Sequence, residues 1–298
     1  MAVKEYSDFM INPSLTFLRF ENVPDYKARF IADDLSKNTT LKTLEILGNT
    51  FLNNASPYYS IHHEGIVAIA SSLLENTTLI ELNIGYNRIG DKGAGVIVEL
   101  LCRNTTLKKI NLQSNLLSGH GLSKICNALY KNNSITSIDL SESYYHVNLK
   151  HIKSFSSLLE INKTLTSLHL ARNNIRIKGA KLIAKGLKNN FTLTELDIGY
   201  NEIEDRGAGA IVKALEDNST LISLNLEENS IINIFGEFNW NITNMFKKNK
   251  TLTHLDLRFN QINSETLKSI EEIMIQRNNE KKKHSYLFSL LLHHVFEY

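Results

Sequence analysis

Cysteine is nearly absent, with two residues, Cys102 and Cys126, in a chain of 298. Two thiols cannot staple a chain of this length. Both are expected to be reduced, packed residues, Cys126 on the apolar stripe of a helix and Cys102 beside one. Net charge is scarce as well. A formal +2, read as spread along the chain, supplies no electrostatic footprint, so no nucleic-acid partner is expected. No secretory signal is expected at the N-terminus. The apolar stretch Tyr286 to Phe296 is eleven residues interrupted by two histidines and a serine, too short to span a bilayer. Reactive constellations are missing too. His62, His63, His169 and His254 show no partner spacing for a triad, and the two His-His pairs lack a third metal ligand at helical or finger spacing. Gly93-Ala94-Gly95 opens a helix without the Lys-Ser/Thr that would hold a phosphate, so the glycines are assigned to turns. Asp139, Asp197 and Asp256 recur as a solvated face rather than as general acids or bases. No enzymatic activity, metal or cofactor is expected.

What is present is a period. The segment Leu79-Ile80-Glu81-Leu82-Asn83-Ile84-Gly85-Tyr86-Asn87 returns at Leu107 to Asn115 and, nearly letter for letter, at Leu193 to Asn201. The motif is Leu-x-x-Leu-x-Leu-x-x-Asn. Nine copies open at Leu15, Leu41, Leu79, Leu107, Ile135, Leu165, Leu193, Leu221 and Leu252. Within each, alternating residues such as Leu196 and Ile198 around Asp197 have the period of two of a short strand. A helical stripe follows: Ala94, Ile97, Val98 and Leu101 stand at spacings of three and four, and Ala180, Ile183, Ala184 and Leu187 reproduce the pattern. Recurrence near 28 residues marks a stacked array in which each unit covers its neighbour's apolar face.

The pattern resembles the leucine-rich repeat of the ribonuclease-inhibitor type, over residues 15 to 277. The resemblance implies an α/β solenoid, a horseshoe with parallel strands on the concave face and α-helices on the convex face. Helices are about 10 Å across while paired strands sit under about 5 Å apart, which forces the helices outward. Residues 1–277 read as the array, the first copy an atypical N-terminal cap. Residues 278–298 read as a basic, then apolar, C-terminal cap or tail, with Leu287, Leu290, Leu291 and Val295 expected to pack near Leu257 and Leu267.

Asparagine recurs in two series. At the ninth motif position, Asn49, Asn87, Asn115, Asn173, Asn201, Asn229 and Asn260 can satisfy backbone groups where the chain turns, while Val23 and Ser143 break the series. Three residues before each next motif stand Asn38, Asn76, Asn104, Asn132, Asn162, Asn190, Asn218 and Asn249, where a left-handed helix end is expected. These also form Asn-x-Ser/Thr sequons, but the repeat itself explains each of them.

Length variation falls in one place. From the helix start, placed at Gly93, Gly179 and Gly207, to the next motif the count is constant at 14, so the extra residues enlarge the loop after the ninth position. These loops are aromatic: Tyr58 and Tyr59, Tyr144 and Tyr145, then Phe235, Phe238 and Trp240, of which Phe238 and Trp240 are the ones most expected to fold back over the gap. Along the concave wall a polar column runs Arg19, Glu45, Asn83, Asn111, Asp139, His169, Asp197, Asn225 and Asp256. Beside it, before the asparagine, stand Tyr86, Arg172, Tyr200, Glu228 and Phe259. Tyr58, Tyr59, Tyr86, Tyr144, Tyr145, Arg172, Tyr200 and Phe259 are therefore the candidate partner-binding residues, since aromatics and arginine are enriched at interface hot spots.

The expected function is a non-enzymatic protein–protein interaction scaffold, monomeric and cytoplasmic. Membrane contact is expected, if anywhere, only through 281–298. A stand-alone array without signalling modules is similar to the leucine-rich-repeat effectors that intracellular bacteria inject, which implies host cytosol as the place of action. The alternative is a GTPase-activating regulator of a small GTPase, by fold analogy with the Ran system's activating protein.

Overall fold

Period-two and period-3.6 apolar patterns alternate along the chain, and strands and helices alternate with them. The computed structural model describes residues 14–48, 60–143, 148–232, 237–281 and 289–291. These fall in two units, Met1–Val147 and Asn148–Tyr298.

In the first unit the order is β1 (Phe17–Glu21), α1 (Asp25–Leu35), β2 (Thr43–Leu47), α2 (His63–Leu73), β3 (Glu81–Asn83), α3 (Gly90–Arg103), β4 (Lys109–Asn111), α4 (Gly119–Leu129) and β5 (Ser137–Asp139). All five strands pair parallel in chain order, so that Leu18, Leu44, Leu82, Ile110 and Ile138 form one buried row. The second unit runs α5 (Leu149–Ile161), β6 (Ser167–His169), α6 (Arg176–Lys188), β7 (Glu195–Asp197), α7 (Glu204–Ala214), β8 (Ser223–Asn225), α8 (Glu237–Lys248), β9 (His254–Asp256), α9 (Ser264–Lys281) and β10 (Ser289–Leu291). Strands β6 to β9 are parallel in order, and β10 adds parallel to β9 with Leu290 opposite Leu255. From β2 to β9 each strand begins two residues after the first residue of its motif, as the repeat requires. Each unit is a leucine-rich-repeat α/β solenoid. Its core lies between sheet and helices, where Leu193, Leu196 and Ile198 are buried with Ile183 and Leu187. Burial stabilises each such side chain by about 1.5–3 kcal/mol.

The helices of regular repeats start a turn earlier than the glycine pattern suggests. Helix α3 begins at Gly90, α6 at Arg176 and α7 at Glu204. Gly93, Gly179 and Gly207 are therefore helical and buried, and they serve packing rather than turns. A Cβ on Gly93 would lie 2.1 Å from Cγ2 of Ile89, and one on Gly179 would lie 2.7 Å from Cδ1 of Ile152. Gly90, with φ +61, is the glycine that does serve the turn. First-turn aspartates join neighbouring repeats: Asp25 accepts from the N–H groups of His62 and Gly65, Asp91 from Ser118, and Asp205 from Ile232.

Among the described residues both asparagine series are buried, apart from half-buried Asn260, and their amides span repeats, while Asn49 lies outside the described residues. In the ninth-position series, Asn87 Nδ2 donates to the carbonyls of Ile46, Ile84 and Gly85, and its Oδ1 accepts from Ile61 N–H at 2.8 Å. Asn229 and Asn260 repeat the arrangement in the second unit. Where Ser143 breaks the series, its hydroxyl still reaches Leu140 O, the i−3 carbonyl, at 3.3 Å. The second series departs from expectation. None of its members has positive φ, and Asn104 and Asn162 are extended, with φ of −77 and −70. Asparagine is needed there for its side chain. In Asn104, Oδ1 accepts from the N–H groups of Thr106 and Leu107, and Nδ2 donates to the carbonyls of Leu73 and Asn76 in the preceding repeat. The eight asparagines of this series are at most 9% exposed, so the amides of these sequons are inside the folded protein. Cys126 is buried as expected, and burial pushes its thiol far up. Cys102 is exposed, because it sits one position off the apolar stripe of α3.

Candidate functional site

The polar column of the sheet face is chiefly structural. Asn83, Asn111, Asp139, Asp197, Asn225 and Asp256 each accept the backbone N–H two residues on, at 2.8–3.1 Å. This Asx brace ends the strand in six of the nine copies, so these residues have a structural duty whatever the surface does. The departures, Arg19, Glu45 and His169, have other engagements. Arg19 pairs with Glu21 and Glu45. His169 Nε2 lies 3.0 Å from Ser167 Oγ, which donates to Glu195 Oε2 at 2.9 Å. Sequence spacing hides this trio, because Glu195 belongs to the next repeat. With its proton directed to Glu195, the hydroxyl accepts from the imidazole N–H, the reverse of what a nucleophilic serine requires.

Next to the asparagine, the chain is left-handed in repeat after repeat. Tyr86, Ser114, Glu142, Arg172, Tyr200, Glu228 and Phe259 have φ between 49 and 61. The turn is the same for a ring, a hydroxyl, a carboxylate or a guanidinium, and it persists where His169 stands in place of the Asx residue and where Ser143 stands in place of the asparagine.

In the second unit these positions are linked. The Arg172 guanidinium lies over the Tyr200 ring, 3.8 Å from its centroid. Tyr200 OH donates to Glu227 Oε1 at 3.3 Å, and Glu227 Oε2 is 3.6 Å from the Arg258 guanidinium. Arg258 is in turn clamped by Asp256, Nε at 2.9 and 3.0 Å and a terminal nitrogen at 2.6 Å. The stripe crosses four consecutive repeats. Burial, then the Glu227 carboxylate, holds the Tyr200 phenol above its usual value, and the bond to Asp256 raises the Arg258 guanidinium. The stripe thus sets the Tyr200 phenol between the Arg172 guanidinium and the Glu227 carboxylate, with Arg258 beyond it paired to both Glu227 and Asp256. Its side chains are held in place before any partner arrives, which lowers the ordering cost of binding.

Of the sequence-derived candidates, Arg172 and Tyr200 are brought together in this stripe. Phe259, 53% exposed, occupies the same column two repeats after Tyr200. Tyr86 is half-buried at the equivalent position in the first unit. Tyr58, Tyr59, Tyr144 and Tyr145 lie outside the described residues. Glu227 and Arg258 were not singled out by sequence; the signal was a charged residue at the seventh motif position, where Gly85, Ala171 and Gly199 stand in three other copies, whereas Asp256 belongs to the polar column that the sequence did pick out. Elsewhere, a cleft of about 490 Å³ in the first unit is lined by Asp25, Arg29, His62 and Glu64. Its polar groups are already used, Asp25 in capping α2 and Arg29 in a 2.7 Å pair with Glu64. Among the described residues no three His, Cys, Asp or Glu side chains are grouped to hold a metal, and no helix is long and apolar enough to cross a membrane.

Comparison with known proteins agrees with this architecture. The family described as "TMOD/LMOD Leucine-rich domain" matches residues 47–145, and "Leucine Rich repeat" matches 162–184, 189–212 and 248–270. No curated protein sequence matches the chain. Among solved structures, the leiomodin-1 actin-binding site 2 is 24% identical, over 54% of this chain and 90% of that one, with a TM-score of 0.46. The tropomodulin C-terminal domain of Caenorhabditis elegans is 13% identical, over 54% and 95%, also at 0.46. The TLR13–ssRNA13 complex is 19% identical at a TM-score of 0.51, over 86% of this chain but 34% of that one, and shares the fold. Motif, element order and family matches converge: the chain belongs to the leucine-rich-repeat proteins.

Proposed function

We propose that this protein is a non-enzymatic interaction scaffold that holds a partner protein on the sheet face of its second unit. The observation carrying the reading is the stripe Arg172, Tyr200, Glu227 and Arg258, flanked by exposed Phe259. Pre-ordered arginine and tyrosine beside an open ring are the residue types that dominate interface energetics. Tyr86, and the loops bearing Tyr58, Tyr59, Tyr144 and Tyr145, extend the same reading to the first unit. The partner is met in cytosol, that of a host cell if the chain is a bacterial effector. The unpaired thiols and the buried sequons of the repeat series suit a compartment without disulfide formation or N-glycosylation.

Affinity capture from cytosol with the wild type and the Tyr86→Ala/Tyr200→Ala/Phe259→Ala variant tests this. The partner should be retained by the first and lost by the second, with nearly equal melting temperatures. A dissociation constant unchanged in the triple variant would remove the sheet face as the site.

A further inference from the structure

The formal charge of +2 conceals a strong asymmetry, and the expectation of an evenly spread charge is wrong. Between Glu142 and Glu195 the chain holds nine Lys and Arg and one acid, Glu160. The fold turns this run into a surface. On α6, Lys178, Lys181, Lys185 and Lys188 stand at spacings of three, four and three, all exposed, forming one stripe about 15 Å long on the side away from the sheet. Lys150 and Lys153 of α5, 28 residues earlier, are exposed at the same helical register as Lys178 and Lys181. Arg206 and Lys213 of α7, 28 residues later, match Lys178 and Lys185. Of these eight cations, only Lys185 has an acidic partner among the described residues, Glu160 at 3.8 Å.

A second observation lies on the same face. Trp240, which the loop pattern suggested would fold back, is 67% exposed. Phe238, Ile242 and Met245 fill the inner face of α8, so Trp240 is left on the outer one. It precedes its next motif leucine by twelve residues, as Lys153 and Lys181 precede theirs, and so continues their row. At the intervening place in that row is Gly209, where a Cβ would lie 2.9 Å from Nδ2 of Asn241, the residue after Trp240. Ile161 and Phe191, 51% and 59% exposed, add apolar groups where α5 and α6 end.

We propose that the helical face of the second unit, α5 to α8, docks on an anionic lipid surface, with the lysine rows over the headgroups and Trp240 as the interfacial anchor. Seven of the eight cations are lysines, which supply diffuse attraction to a charged plane rather than the bidentate forks that arginine offers to individual phosphates. Tryptophan prefers the headgroup level, where its ring is half in the apolar layer. This face is opposite the sheet, so a partner on the sheet and a membrane on the helices do not compete, and either reading can fail without the other.

Trp240 is the only tryptophan of the chain, which gives the full-length protein a built-in reporter. Adding phosphatidylserine/phosphatidylcholine vesicles should shift its emission to the blue and carry the protein into the vesicle pellet. Phosphatidylcholine alone should do neither, and high salt should reverse both effects. The Lys178→Glu/Lys181→Glu/Lys185→Glu variant should partition about a hundredfold more weakly, at about fivefold per lysine, with an unchanged melting temperature. Trp240→Ala should weaken binding while leaving its salt dependence intact. Three results would overturn the proposal: no sedimentation with anionic vesicles, equal sedimentation of the charge-reversed variant, or tight binding to a duplex oligonucleotide without binding to vesicles.

Discussion

The side-chain oxygen of Asn201 accepts the backbone N–H of Asn173, its own counterpart one repeat earlier, at 2.8 Å. The same oxygen takes Ile175 N–H at 3.2 Å, while Nδ2 donates to the carbonyls of Leu170 and Gly199. One amide thus satisfies four buried backbone groups in two repeats. Asn201→Ala should cost about 3–5 kcal/mol, because those groups lose partners where water cannot replace them. Urea unfolding measures this, and a loss under about 1 kcal/mol would mean that the turn finds other partners.

Tyr200 gives the stripe a pH signature. Its phenol is held above the usual value by burial and by Glu227, so in the folded protein it keeps its proton where an unfolded chain loses it, near pH 10. The associated stability is intact below about pH 10 and declines as pH climbs through the raised value. Phenolate absorbance during alkaline titration should show a late component that Tyr200→Phe removes. A wild-type curve superimposable on that of the variant would contradict the assigned environment.

Two glycines of one helix should respond oppositely to alanine. A Cβ at Gly93 meets Ile89 at 2.1 Å, whereas one at Gly95 meets nothing within 4 Å. Gly93→Ala should destabilise by about 1–3 kcal/mol through overpacking. Gly95→Ala should stabilise by about 0.5–1 kcal/mol, since alanine loses less backbone freedom in a helix. Thermal melts of the pair decide it, and equal shifts would refute the packing role.

Strand β10 pairs along β9, which supports the proposal that the segment after residue 277 caps the array. Truncation after Asn279 should uncover the β9 edge, lower the melting temperature and promote self-association. A truncated protein that melts like the full chain and stays monomeric would end the cap reading. Leu287 and Val295, and the side chains of Leu290 and Leu291, lie outside the described residues.

Repetition made the fold legible: nine copies of one motif set strand order, register and buried rows, since each copy repeats the same physical solution. Residues with identical spacing but different duties were harder to separate. Asp197 and Glu227 both look like exposed acids, yet one braces its own strand end and the other links Tyr200 to Arg258. Inter-repeat contacts such as Ser167 with Glu195 depend on side-chain direction, which a one-dimensional period does not encode. The lysine rows were present in the sequence, but a whole-chain net charge averages them away against acids elsewhere.

The left-handed column carries a thermodynamic conflict. For a residue with a Cβ, this conformation costs about 1–2 kcal/mol that glycine would not incur. Tyr86, Arg172, Tyr200 and Phe259 all adopt it. Glycine at any of these places would relax the backbone and erase the side chain, so a search for greater thermal stability would tend to blank out this surface. Sequences selected only to survive heating should drift towards glycine there, while selection for a partner should hold the bulky residues against that drift.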